Sequence, residues 1–234
     1  MFDAIAPRYD LLNTLLSAGF DRQWRARAIR SLALTGRECL LDVCAGTAGV
    51  ALAARRGPSG ARRVIGVDFA GAMLEVGRRR IAAAGEGHGI TLLQGDATRL
   101  PIREGGIDAV TVAFGVRNVE DAGMACREMH RVLRAGGRLA ILEFAYPTLP
   151  VLRQLYLGYF TRVLPLVGRL LSRHSSAYSY LPASVGGFPP PEQFATLLRE
   201  LGFVEVVASR LTLGVVYLYS ARKADKQGPA PSTA

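Results

Sequence analysis

Three aspartates, Asp42, Asp68 and Asp96, stand at or just past the ends of successive short apolar runs, and the next run, IDAVTVAF, leads into Arg117 and Asn118. A row of carboxylates suits a ligand that carries positive charge and hydroxyl groups, because each carboxylate oxygen accepts hydrogen bonds and attracts a cation. A guanidinium beside a carboxamide suits an oxygen that becomes anionic, since arginine stays protonated and the amide can orient a water or a second oxygen. Taken singly, each aspartate suits a turn or a helix N-cap equally well, and Asn118 suits the cap of a helix starting near Asp121. Their repetition at strand ends favours a site, because open α/β sheets bind ligands outside the carboxyl ends of their strands.

The run CLLDV is followed by the turn CAGTAG, in which Cys44, Gly46 and Gly49 occupy the positions of the dinucleotide-binding G-x-G-x-x-G with the first glycine replaced. Asp68 comes about twenty residues later, where an acidic side chain binds ribose hydroxyls in such folds. Charge separates two classes of cofactor. The pyrophosphate of a nicotinamide dinucleotide would lie against an ionised Asp42, whereas S-adenosylmethionine has no phosphate and carries a sulfonium and an ammonium against one carboxylate. The expected arrangement puts Asp42 near the amino acid end of S-adenosylmethionine, Asp68 on its ribose and Asp96 at its adenine.

The elements that must hold these residues follow from periodicity. Between residues 39 and 144 the runs CLLDV, RVIGVD, ITLLQGD, IDAVTVAF and RLAILEF alternate with amphipathic stretches, which predicts a parallel α/β sheet. Helices are expected after the turn through Arg56, near residues 71–84 and over 121–134, where Ala122, Ala125, Met129, Val132 and Leu133 recur at helical spacing before AGG at 135–137 acts as a stop. A helix near 191–201 then leads into FVEVVAS and LTLGVVYLYSA, a closing β-hairpin. One domain results over residues 1–222: an N-terminal helical lid (1–36), a cofactor core (37–146), an apolar helical insertion (147–190), and the closing helix and hairpin (191–222). Residues 223–234, with KQGPAPSTA, form an expected disordered tail.

Bulk composition narrows the function classes. The 234 residues are 50% hydrophobic and 21% charged, enough to bury a core, and the most apolar stretch, LYLGYFTRVLPLVGRLL, is interrupted by Arg162, Pro165 and Arg169, so no membrane span is expected. The opening MFDAIAPRYD lacks a secretory pattern, which makes the cytoplasm the expected location. Cys39, Cys44 and Cys126 read as reduced thiols, and the scattered His88, His130 and His174 suggest no metal. The net charge of +10 invites an acidic partner, yet only Lys223 and Lys226 of the 29 basic residues are lysines. With no N-P-P-Y-like motif and no basic run interleaved with stacking aromatics, nucleic acid is not expected as a partner. The oligomeric state is left open, with a homodimer as one option.

The blocks FDAIAPRYDLLNTLLSAGFDRQWR, LDVCAGTAG, GVDFAGAML, GDATRLPI, VAFGVRNVED, EMHRVLRAGGRLAILEF and YSYL, in this order, make the chain resemble the C-methyltransferases of menaquinone and ubiquinone biosynthesis from about residue 2 to about residue 222. The resemblance implies a Rossmann-like seven-stranded methyltransferase sheet, mostly parallel with an antiparallel C-terminal hairpin and helices on both faces. It implies S-adenosylmethionine as cofactor and a prenylated quinol as substrate, with the VC-x-GTA form favouring demethylmenaquinol; a benzoquinol of the ubiquinone pathway or a small natural product or lipid are the alternatives. Cofactor contacts carried over by resemblance are Gly46, Thr47, Asp68, Asp96, Ala97 and, where the family often has serine, Ala113. Ala45, Ala48 and Gly49 depart from the family's usual Gly, Gly and Asp. The implied chemistry is attack of a quinol ring carbon on the donor methyl, with Arg117 stabilising the phenolate, Asn118 orienting a water or the second oxygen, and Tyr9 as a further polar contact. Tyr178, Tyr180 and His174 are expected to line the acceptor pocket; the arginine-bearing apolar segment 149–172 reads first as a helix pair covering the sheet, and its basic rim and apolar entrance also suit contact with an anionic membrane.

Overall fold

The apolar runs become seven strands: β1 (Cys39–Val43), β2 (Arg63–Asp68), β3 (Ile90–Gln94), β4 (Ile107–Ala113), β5 (Leu133–Phe144), β6 (Phe203–Leu211) and β7 (Val216–Lys223). Between and before them lie helices α1 (Phe20–Ser31), α2 (Gly49–Arg55), α3 (Gly71–Ala83), α4 (Ala122–Val132) and α5 (Pro191–Glu200). This computed structural model describes residues 17, 19–56, 59–147, 154, 158 and 184–225. The strands form one sheet in the order β3-β2-β1-β4-β5-β7-β6. β1 to β5 pair in parallel, while β7 runs antiparallel to both β5 and β6.

Side-chain alternation along the strands divides the core between the two faces. Leu41, Val43, Val110, Val112 and Ile141 pack with Met129 and Val132 of α4 and Phe194 and Leu198 of α5. Leu40, Val64, Ala109 and Leu142 pack on the opposite face with Trp24 and Ala28 of α1, Ala51 and Leu52 of α2, and Ile81 of α3. Helices therefore cover both faces, as a mostly parallel sheet buried on both sides requires.

Three boundaries differ from those expected. α4 ends at Val132, and residues 135–137 lie within β5, where pairing with β4 jumps from Ile107↔Leu133 to Ala109↔Arg138. The AGG segment is thus a strand irregularity, with Gly136 at φ 70° supplying the left-handed residue. The hairpin turns through Thr212–Gly214, so of the LTLG run only Leu211 is strand, as the last residue of β6. Lys223, assigned to the tail, closes β7; its Nζ donates to the carbonyls of His130 (2.8 Å) and Leu133 (2.9 Å).

Within the N-terminal segment, α1 is fixed to the body of the protein. Trp24 is 6% exposed, lies edge-on to Phe114 and Phe144 at centroid distances of 5.9 and 6.3 Å, and donates from Nε1 to Thr212 Oγ1 at 2.8 Å. The buried aromatic satisfies its one donor, as an indole inside a core must.

Candidate active site

The chain leaves β1 toward β2 and β3 on one side and places β4 and β5 on the other, so the strand order reverses between β1 and β4. A crevice forms at the carboxyl ends there. It is a cavity of about 320 Å³ lined by residues from the ends of β1, β2, β3 and β4, including Gly46, Thr47, Asp68, Asp96, Ala97, Ala113 and Asn118.

Asp68 is the last residue of β2. Its Oδ2 accepts from the Gly46 backbone and its Oδ1 from the Ala70 backbone, both at 2.8 Å, which fixes the carboxylate at the cavity edge. Thr47 is buried, and Arg80 of α3 donates from Nη1 to its carbonyl (3.0 Å) and its Oγ1 (2.9 Å). Asp96 follows β3; its Oδ1 accepts from both the backbone and the hydroxyl of Thr98 at 2.8 Å. The turn after β1 is tightly wound, with Cys44, Gly46 and Ala48 at φ 54°, 52° and 62°. Two of these carry a Cβ in a conformation that favours glycine, strain of the kind that clusters at functional sites. Across the crevice Phe114 also has a positive φ of 62°, and Gly115 approaches Cys44 so closely that a Cβ on it would clash with Cys44 Cβ. Burial, with Asp68, Asp42 and Glu143 nearby, pushes the Cys44 thiol far up, so it stays protonated.

Two expectations are corrected. Asp42 is 1% exposed and absent from the cavity lining among the described residues. It precedes the last residue of β1, and alternation turns it to the Leu40 face beneath α1 and α2. Burial pushes its carboxyl up to about 8, against the pull of Arg25 and a hydrogen bond from the Ala51 backbone. It carries a proton at neutral pH, so the contrast drawn from an ionised Asp42 does not hold. Arg117 also stays out of the lining. Its Nη1 donates to Glu143 Oε1 (2.5 Å) and to the Phe114 carbonyl (2.8 Å), its Nε to Ser184 Oγ (3.3 Å), and the guanidinium lies over the Phe144 ring at 5.2 Å. Glu143 is fully buried and compensates the charge, so the guanidinium faces a carboxylate rather than an acceptor. Asn118 does reach the cavity, with Nδ2 donating to the Phe114 carbonyl at 3.3 Å.

Sequence reasoning missed Glu143, Arg80, Arg25 and Glu120. Glu143 and Arg80 bind their partners across long sequence separations; Arg25 and Glu120 line the cavity and lay within the quoted RQWR and VRNVED blocks. Tyr9, His174, Tyr178 and Tyr180 lie outside the described residues.

The ubiE/COQ5 methyltransferase family model matches residues 1–223. The chain belongs to the ubiE/COQ5 methyltransferase family. Relatives of this family include the ubiquinone/menaquinone biosynthesis C-methyltransferase UbiE of a Geobacter species, 44% identical over 95% of this chain and 94% of that protein. The demethylmenaquinone methyltransferase of Bacteroides fragilis is 40% identical over 95% and 91% of the two chains. Among solved structures, the [4+2]-cyclase SpnF superposes with a TM-score of 0.68 at 17% identity over 96% and 95% of the chains, and a SAM-dependent methyltransferase from Aquifex aeolicus with 0.58 at 14% identity over 85% and 88%. These two similarities concern the fold alone.

As a member of this family the protein uses S-adenosylmethionine as its cofactor. The site fits that molecule. Asp68, Asp96 and Glu120 give the cavity carboxylates toward a cationic nucleoside, and its volume lies in the ligand-pocket range of about 300–1,000 Å³. Arg25, whose buried Nε has no hydrogen-bond partner among the described residues, adds a cation to the same lining.

Proposed function

We propose that this protein transfers the methyl group of S-adenosylmethionine to a ring carbon of a prenylated quinol precursor, with demethylmenaquinol as the acceptor. The observation that carries this reading is one cavity bounded by Asp68 and Asp96 on one side and by Asn118 and Glu120 beyond β4 on the other. The names of the relatives, which include quinone C-methylation and demethylmenaquinone, supply the acceptor class.

When bound, the donor supplies an electrophilic methyl group on sulfur. Asp68, held at the cavity edge by the Gly46 and Ala70 backbone donors, accepts from the ribose hydroxyls, and Asp96 with Ala97 borders the adenine. An aromatic carbon becomes nucleophilic when the adjacent ring hydroxyl gives up its proton, so the acceptor wall needs a base and an orienting dipole. Asn118 orients that hydroxyl, and the Glu120 carboxylate on the same wall takes its proton. Arg117 acts as a positioning residue: by clamping Glu143 and the Phe114 carbonyl, it holds the segment that presents Asn118. Tyr9, Tyr178, Tyr180 and His174 are proposed as acceptor contacts, and the segment 147–190 as the apolar entrance that takes the prenyl chain from an anionic membrane surface. No helix among the described residues is long and apolar enough to cross a membrane.

The test is incubation with isotopically labelled S-adenosylmethionine and a panel of demethylated naphthoquinols and benzoquinols, followed by mass analysis of the ring. Label on carbon of the naphthoquinol is the expected result. Label on the benzoquinol alone would move the protein to the ubiquinone pathway, and label on neither would refute the proposal. Asn118→Ala should lower turnover by about tenfold or more with donor affinity unchanged.

A further inference from the structure

We infer that Arg25, carried on α1, receives the α-carboxylate of the methyl donor and makes the site selective for a donor whose amino acid end is complete. The inference rests on S-adenosylmethionine as the cofactor and adds a residue to its site.

Along the sheet edge the strand order places Asp96 after β3, Asp68 at the end of β2 and the Gly46–Gly49 turn after β1. With adenine at Asp96 and ribose at Asp68, the amino acid end falls at the turn. Arg25 stands there: a Cβ on Gly49 would come within 2.7 Å of Arg25 Nη1, so the absence of a side chain at Gly49 leaves room for the guanidinium. Among the described residues, Arg25 is the one cation in the lining, and Asp68, Asp96 and Glu120 are its carboxylates. This lining attracts the donor's sulfonium and ammonium but repels its carboxylate everywhere except at Arg25.

The guanidinium also has donors to give. It offers five N–H groups in a fork that matches a carboxylate. Its ion pair with Asp21, one turn earlier on α1, is long at 3.7 Å, and its buried Nε has no hydrogen-bond partner among the described residues. Asp42 below it does not cancel the charge, because burial keeps that carboxyl protonated at neutral pH. The adjacent Trp24, packed against Phe114 and Phe144 and bonded to Thr212, delivers Arg25 from a fixed helix. A charge-assisted, paired contact of this kind changes affinity by about 10- to 100-fold.

The experiment is calorimetric titration of the wild-type protein, Arg25→Gln and Arg25→Lys with S-adenosylmethionine and with its decarboxylated analogue, which keeps the sulfonium, ammonium, ribose and adenine. The analogue is the more cationic of the two, so the acidic lining alone would favour it. The expected result is that wild type binds S-adenosylmethionine about 10-fold or more tightly than the analogue, that Arg25→Gln loses this preference while still binding the analogue, and that Arg25→Lys keeps part of it. Equal wild-type affinity for the two ligands would overturn the inference without any variant, and so would equal weakening of both in Arg25→Gln. If Arg25→Gln does not fold, the wild-type comparison and Arg25→Lys decide the matter. Failure of S-adenosylmethionine to bind wild type would instead refute the cofactor assignment.

Discussion

Asp42 and Asp68 have the same side chain on neighbouring strands, yet they do different chemistry because one lies inside its strand and the other closes it. Asp68, with two backbone donors at 2.8 Å, stays at the cavity edge, whereas Asp42 lies under α1 and α2 with its carboxyl pushed up to about 8. The folded state therefore holds a proton that the unfolded chain, with an ordinary carboxyl value of 3.8, has released. Stability from this group is fully present below about 4 and is lost as pH rises toward about 8. Denaturation between pH 5 and 9 should show wild-type stability falling relative to Asp42→Asn; parallel profiles would refute the buried, protonated Asp42. Arg117 and Glu143 make a second case. Removing one member of a buried pair strands the other, so Arg117→Ala should cost about 3–5 kcal/mol in denaturant unfolding. Arg117→Met with Glu143→Leu should recover only part of it, because the stranded charge is removed but the Arg117 and Phe144 backbone donors lose the acceptor that Glu143 gave them. A stable single variant with only turnover lost would return Arg117 to direct contact with the acceptor.

At the level of elements, the crevice depends on a close approach of the turns after β1 and β4. Gly115→Ala forces its new methyl against Cys44 Cβ and should destabilise by about 1–3 kcal/mol, while adding Cys44→Gly should relieve most of that loss. Thermal unfolding of the four proteins checks the coupling; additive effects would deny the contact. Trp24→Ala should cost about 3–5 kcal/mol and weaken binding of S-adenosylmethionine, since the same helix carries Arg25. The strands and helices were legible because their periodicity is local: CLLDV, RVIGVD and IDAVTVAF are continuous apolar runs, as strands buried on both faces must be. Asp68 and Asp96 were legible for the same reason, being placed by where a strand stops. The partner of Arg117 was not, because Glu143 reaches it across the β4–β5 pairing. The burial of Asp42 was hidden too, because it depends on α1, a distant helix, covering that face.

For the whole molecule, the net charge of +10 and the apolar stretch around residues 149–172 bear on how the cavity would receive the proposed acceptor, whose prenyl tail would stay in lipid. The protein should sediment with anionic vesicles and be released by salt, whereas equal sedimentation with neutral vesicles would refute electrostatic attachment. Such contact matters only if the donor already lies along the strand ends with its methyl group toward β4. The most direct test is therefore a crystal structure of the complex with S-adenosylmethionine. The adenine should lie beside Asp96, the ribose hydroxyls on Asp68, the amino acid end at the turn beside Arg25, and the methyl group toward Asn118. A donor bound away from β1 and β4, or one whose methyl group points from Asn118 into solvent, would contradict the account.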